Sequence, residues 1–447
     1  MSDKICRIIY RPEWNLHLGH LPTLYYNNQW ALENNGTCYL ILDDIYRPEE
    51  YLRHFREDLA WLNFSHIVIK PLSEYLNQIV ETTQQLIRSG HVLVESRIRG
   101  VCQRYCDPKI SETIFKDIIV NESNESYHVK FVSSDSDVST IFRSCREQKN
   151  WTMDYMISVI DYLLGVTHII NLSKMDILNL QISKKLCDAL GCQIPEIVNK
   201  KPFRISDLRY QKTSLDEMIQ NKSIESWDDP RLLTLSGLRN RGYPAELLHR
   251  FCHMGYQMSV VGVSQLDHLL LNKYNQEAPR RFVILNPVTV KVTNWDPKVV
   301  KYVSKPDDPC SPWSYYLVPQ NGQILLDRGD STLGEVLLKY SGLLTFTNTD
   351  VDHPEATYSQ TTVKDRALVH WMSYGICEEP QKAEFHMFKG YYTGNHHCNL
   401  GHRVKTGLIE SDAVFVPGQI YNFERVGYFH CKSPGVFYQL ATAPPRY

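Results

Sequence analysis

Apolar and polar positions fall into two textures along the chain. Up to about residue 275, short apolar runs alternate with longer helical patterns. The runs at 5–10, 38–42 and 66–69 read as buried strands, and 23–34, 49–62 and 76–89 read as helices. In the second helix Leu52, Phe55, Leu59 and Leu62 recur at three- and four-residue spacing. Gly90 ends the third helix. This alternation predicts a parallel sheet with helices on both faces. From Ala278 onward the texture changes: short runs at 282–285, 288–292, 344–346, 367–371 and 414–416 are broken by Pro, Asn, Asp and Gly. That spacing predicts an all-β, barrel-like region. Residues 91–150 are less regular and read as an inserted segment.

Composition narrows the picture. A chain of 447 residues has room for about two to four domains. Hydrophobic residues at 43% and charged residues at 22% exclude a largely disordered chain. A net charge of -2 argues against a basic nucleic-acid coat protein but allows a local basic groove. No apolar run is long enough to span a membrane, and no secretory signal is visible at the N-terminus. Twelve scattered Cys fit reduced thiols and a cytoplasmic location.

The first chemical signal follows the first strand. In His17-Leu18-Gly19-His20 a glycine sits where a strand turns into a helix. Such a turn lets backbone approach a ligand, and a helix start offers free N–H groups to an anion. His17, Gly19 and His20 are therefore candidates for a triphosphate cradle, against the plainer reading of two ordinary histidines in a turn. His396, His397, Cys398 and His402 are metal-capable, as are Cys102 and Cys106. Neither group has a second pair at zinc spacing, so no metal site is assigned.

His17-Leu18-Gly19-His20 resembles the HIGH signature of class I aminoacyl-tRNA synthetases. Segments that follow in order resemble the glutamyl/glutaminyl branch. Asp43-Asp44 resembles FDDTNP, residues 73–78 resemble SDYFDQ and residues 165–168 resemble GITH. Residues 225–231 are similar to EGWDDPR and 236–243 to SGLRRRGY. Ala278-Pro279-Arg280, His370-Trp371-Met372-Ser373 and residues 423–429 resemble APRA, HWVS and FERLGYF. The resemblance covers nearly the whole chain. It implies a Rossmann catalytic domain over 1–90 and 150–205, and a shortened acceptor-end insertion over 91–150. A helical stem-contact region over 206–275 and a two-barrel anticodon-binding-like region over 276–447 would follow. It also implies ATP with Mg2+, an amino acid and a tRNA as partners. Nothing in the sequence points to an oligomer or a membrane.

The resemblance also shows divergence. Counted back from Trp227, the family's Met-Ser-Lys loop falls on Tyr210-Gln211-Lys212, so only the lysine remains to neutralise the leaving pyrophosphate. Arg7 takes the place of the first-strand arginine, and Arg11 stands where the family has a glutamate. Asp43 and Asp44 keep the paired carboxylates, and Asp154 keeps the aspartate of YDF. The arginine, tyrosine and histidine of the amino-acid pocket fall on Ile41, Met153 and Ile157. A site without those hydrogen bonds selects glutamine poorly; alternatively these positions only pack the core. Arg231, Arg239 and Arg241 would face a tRNA backbone, while Trp227 in a core and Asp228 or Asp229 as a helix cap is the structural alternative. The resemblance thus implies a glutaminyl-tRNA synthetase-like ligase with a degenerate second ATP signature. A catalytically inactive, tRNA-binding pseudo-synthetase and a non-catalytic scaffold that mimics a synthetase are the alternatives.

Overall fold

A computed structural model describes residues 4–11, 15–45, 49–98, 101–121, 123–132, 140–146, 148–172, 180–295, 299–303, 313–317, 322–350, 352–361, 363, 366–373, 380–394, 401–410 and 413–443. The chain divides into two compact units. The first takes residues 1–15, 19–204 and 256–259; the second takes 16–18, 205–255 and 260–447.

The first unit is built on a five-stranded sheet. Its strand order is Glu196–Asn199, His168–Asn171, Ile5–Tyr10, Thr37–Leu42, Ile67–Pro71, and every neighbouring pair is parallel. The chain steps outward from the first strand to the third, then returns to the first strand's other side. That reversal makes a switch point at the carboxyl ends of the strands, where ligands bind in open α/β sheets. The helices Leu21–Glu33, Glu49–Leu62 and Leu76–Arg88 follow the three strands, as the periodicity predicts. Leu52, Phe55, Leu59 and Leu62 are all buried.

Residues 91–150 are more regular than their sequence suggests. Five antiparallel strands form one sheet in the order Val101–Tyr105, Val92–Ile98, Ser123–Phe131, Thr140–Arg146, Gln148–Trp151. The helix Pro108–Val120 accompanies it, capped by Asp107, whose carboxylate accepts from the Lys109 and Ile110 amides. The pattern is hidden because the sheet buries charge. Glu95 is 1% exposed and takes Lys130 Nζ at 2.9 Å and Arg104 Nε at 3.3 Å.

In the second unit, helices Lys212–Gln220, Leu235–Arg241 and Ser264–Glu277 accompany two seven-stranded sheets. One sheet has Arg280–Arg281 and Val283–Ile284 as its two edges, and only Phe282 separates them. The other has Leu368–Val369 and Trp371–Ser373 as its edges, separated by His370. Edges one residue apart in the chain require each sheet to curl into a nearly closed barrel. Phe385, Phe423, Phe429 and Phe437 fill the first barrel; Val290, Ile324, Leu344 and Trp371 fill the second. The run 414–416 forms no strand. Phe415 alone enters the core, while Val414 and Val416 are exposed. Among the described residues no helix is long and apolar enough to cross a membrane.

Candidate active site

Asp43 and Asp44 follow the carboxyl end of the strand Thr37–Leu42, Arg7 lies within the strand Ile5–Tyr10, and Met153 and Asp154 open the helix Met153–Leu163. Arg7, on the first strand, is buried. Its Nε lies 3.0 and 3.2 Å from the two carboxylate oxygens of Asp161, on the helix Met153–Leu163. Burial pushes the Asp161 carboxyl up, against the pull of Arg7. Asp161 was not legible as a partner, because it sits in an otherwise apolar stretch of helix. Asp43 is buried and lies 3.2 Å from Arg11 Nε. Asp44 accepts from the Ser73 amide at 2.9 Å and the Ser73 hydroxyl at 2.5 Å, tying its strand end to the next turn.

Ile41 and Ile157 are wholly buried and belong to one hydrophobic cluster with Leu72 and Ile79. Ile41 thus has no accessible surface and packs the core. Met153 is partly buried against the same cluster. Asp154 lies in the first turn of its helix, where a carboxylate complements the helix dipole.

Gly19 and His20 complete a 3-10 turn that runs straight into Leu21–Glu33. No side chain caps that helix. His20 packs edge-on against Tyr10, with ring centroids 5.5 Å apart, and Tyr10 stacks on Phe55 at 4.5 Å. Burial lowers the His20 pKa to about 4, so the imidazole is neutral at pH 7. An unfolded histidine titrates near 6.5, so the unfolded chain binds the proton first. Stability contributed by the neutral ring is therefore full above about pH 6.5 and falls as the pH drops from there towards about 4. Urea melts at pH 7 and pH 5 should show a smaller loss for His20→Gln than for the wild type.

His17 lies in the second unit and pairs with Thr234 through an isolated bridge. The Leu18 amide donates to the Leu233 carbonyl at 3.0 Å, and the Leu235 amide to the Leu16 carbonyl at 2.7 Å. The His17 ring meets Tyr210 edge-on at 5.3 Å. Tyr210 in turn stacks on Tyr392 at 5.7 Å, and its hydroxyl accepts from the Leu233 amide. Burial pushes the Tyr210 phenol up. The residue in place of the family's flexible methionine is thus an anchor. Two positions on, Lys212 is exposed and opens the helix Lys212–Gln220. Among the described residues it forms no ion pair.

Two sequence models match this chain. The model of tRNA synthetases class I (E and Q), catalytic domain, covers residues 6–98 and 101–272. The model of the anti-codon binding domain of the same class covers 278–363. The chain belongs to the class I glutamyl/glutaminyl-tRNA synthetase family. Similar proteins include the cytoplasmic glutamine–tRNA ligase of Arabidopsis thaliana, 24% identical across 94% of this chain and 62% of the relative. The glutamine–tRNA ligase of Lupinus luteus is 26% identical over the same shares. That of Nitrosomonas europaea is 25% identical, across 94% of this chain and 89% of the relative. The chain thus spans 62% of the length of the two plant relatives.

The family's WDDPR stretch keeps its form here, but its arginines differ in availability. Arg231 forks onto Asp229, with Nη2 at 2.6 Å and Nε at 2.8 Å. Burial raises the Asp229 carboxyl, but the hydrogen bonds from Arg231 outweigh it and hold the pKa below its usual value. Arg239 is half-buried in the last turn of Leu235–Arg241. Arg241 is 3% exposed. Its Nε donates to the Gln439 carbonyl at 2.8 Å, and Nη2 to that of Leu440 at 3.3 Å. Nη1 points to the carbonyls of Pro230 at 3.3 Å and Gly390 at 3.5 Å. The helix cap is Thr234, whose hydroxyl accepts from the Gly237 amide at 3.0 Å, rather than Asp228 or Asp229. Gly242, at φ 102°, ends the same helix in the left-handed region.

Of the metal-capable residues, His396, His397 and Cys398 lie outside the described residues. His402 Nε2 is 3.1 Å from His386 Nδ1, a hydrogen bond between rings on paired strands. Cys102 and Cys106 are exposed. Among the described residues no group of three or more His, Cys, Asp or Glu could hold a metal ion.

Proposed function

We propose that this chain is a glutaminyl-tRNA synthetase-like, ATP-dependent aminoacyl-tRNA ligase with a diverged amino-acid pocket. One observation carries the reading: the His17 ring rests on Tyr210, two residues before Lys212. Residues of the first and second nucleotide signatures are therefore neighbours within one compact unit.

In this reading an imidazole N–H of His17, in the same unit as Lys212, donates to a phosphate oxygen. Lys212 supplies the charge that the leaving pyrophosphate needs, and the start of its own helix adds partial positive charge beside it. These donors fit a triphosphate, and Mg2+ would neutralise part of its charge. In this reading Asp43, Asp44 and Asp154 border the amino-acid pocket, Arg7 braces the first strand through Asp161, and Ile41 and Ile157 belong to the core. A pocket that has exchanged polar partners for Ile and Met discriminates poorly in favour of an amide side chain.

The same reading assigns the tRNA acceptor end to residues 91–150 and the stem to 206–275, with Arg231 and Arg239 towards the phosphates. The anticodon would fall to 276–447. It places the chain in the cytoplasm, as the Arabidopsis relative's name does for that protein. A second reading, a tRNA-binding pseudo-synthetase, is favoured by Tyr210, which fastens the second signature to its surroundings.

Charging of total tRNA with each standard amino acid separates the two. The ligase reading expects one amino acid to be esterified to tRNA. Salt-dependent tRNA binding without charging would replace it with the second reading.

A further inference from the structure

The strand Ile5–Tyr10 is followed by Arg11, and its parallel neighbour Thr37–Leu42 by Asp43. The Asp43 amide donates to the Tyr10 carbonyl at 2.9 Å, so the two strand ends lie side by side at the carboxyl edge of the sheet. Arg11 Nε stands 3.2 Å from Asp43 Oδ2. The aspartate side chain is 8% accessible and the arginine side chain 47%. A nearly buried carboxylate is thus covered by a guanidinium that is half in water. Asp44 does not share this role, since its two oxygens are held by Ser73.

We propose that Arg11 is an internal competitor for Asp43, occupying the carboxylate that receives the ammonium group of the amino-acid substrate. The inference rests on the ligase reading above. Its chemistry is simple: an ammonium and a guanidinium both seek the same carboxylate, and two cations a few ångströms apart repel. A pair whose arginine is half exposed is weak, so a substrate can displace it at modest cost. With 47% of its side chain accessible, Arg11 has solvent to move into. The arginine sets the lower limit on how little amino acid the site responds to. It also disfavours any ligand that brings no cation of its own to Asp43.

The opposite role is also chemically possible: an arginine that anchors the substrate's carboxylate. The two roles differ in the sign of one measurement. Calorimetric titration with each standard amino acid is made on the wild type, Arg11→Ala, Arg11→Lys and Asp43→Asn. If Arg11 competes, Arg11→Ala binds its amino acid about 1.5- to fivefold more tightly, the range set by a half-exposed ion pair. Arg11→Lys stays near the wild type, because it keeps the competing cation, and Asp43→Asn loses binding. In pyrophosphate exchange the alanine variant lowers KM for the amino acid and leaves kcat unchanged. Equal or weaker binding by Arg11→Ala overturns the proposal while the ligase reading stands. No amino acid bound by the wild type or by Arg11→Ala overturns both.

Discussion

Lys212→Ala should lower ATP–pyrophosphate exchange by about two to three orders of magnitude while leaving the melting temperature unchanged or slightly raised. The rate loss follows from removing one preorganised electrostatic donor, which costs about 3–4 kcal/mol of transition-state stabilisation. The stability gain follows from position. Lys212 is the first residue of its helix, and no acidic residue occupies the first turn. A cation there opposes the helix dipole at a cost of about 0.3–1 kcal/mol. Its side chain is exposed, so alanine leaves no cavity. Exchange at the wild-type rate in this variant would remove Lys212 from the chemistry.

Arg241→Ala should destabilise the second unit by about 3–5 kcal/mol, the usual result of breaking a buried charged network. At roughly 2–4 °C per kcal/mol for a unit of this size, the melting transition should fall by about 6–20 °C. The guanidinium bonds the carbonyls of Gln439 and Leu440 from the C-terminal strand, and those of Pro230 and Gly390. It also lies 5.1 Å over the Phe388 ring and 4.4 Å over Tyr391. Removing it leaves buried carbonyls without donors and two ring faces without their cation. Arg241→Lys should not restore stability, because one ammonium cannot reach acceptors spread around a planar fork. Thermal melts followed by circular dichroism measure both. A loss below about 1 kcal/mol for alanine would mean that water replaces the guanidinium and that the site is less closed than its geometry indicates.

The contrast between Arg239 and Arg241 shows how far sequence reasoning reaches. Both sit in the last turn of one short helix, and both match the same family segment. At 100° per residue they point about 200° apart, so one must face inward. Sequence alone does not say which, because a guanidinium can satisfy carbonyls as readily as phosphates. The first three strands and their helices were legible, because their apolar stripes are long and obey one period. So was the change to barrels, from short runs broken by turn residues. Residues 91–150 were not, since Glu95 and Lys130 pair inside the sheet and break the alternation that marks a strand. Asp161 was hidden for a related reason. A lone acid within an apolar helix acquires meaning only when Arg7, more than 150 positions away, is brought beside it. The motif residues were the most legible part of the candidate site. Which of their groups face a ligand was the least, as Ile41 shows by vanishing into the core.

The ligase reading requires this chain to activate an amino acid with ATP. ATP–pyrophosphate exchange by the wild-type protein tests it most directly, run with each standard amino acid, with and without total tRNA. The account predicts exchange with one amino acid, carried by His17 and Lys212. The tRNA arm is included because the reading makes tRNA a partner of the reaction. No exchange with any amino acid in either arm would contradict the account and leave a protein that keeps the fold of a synthetase without its chemistry.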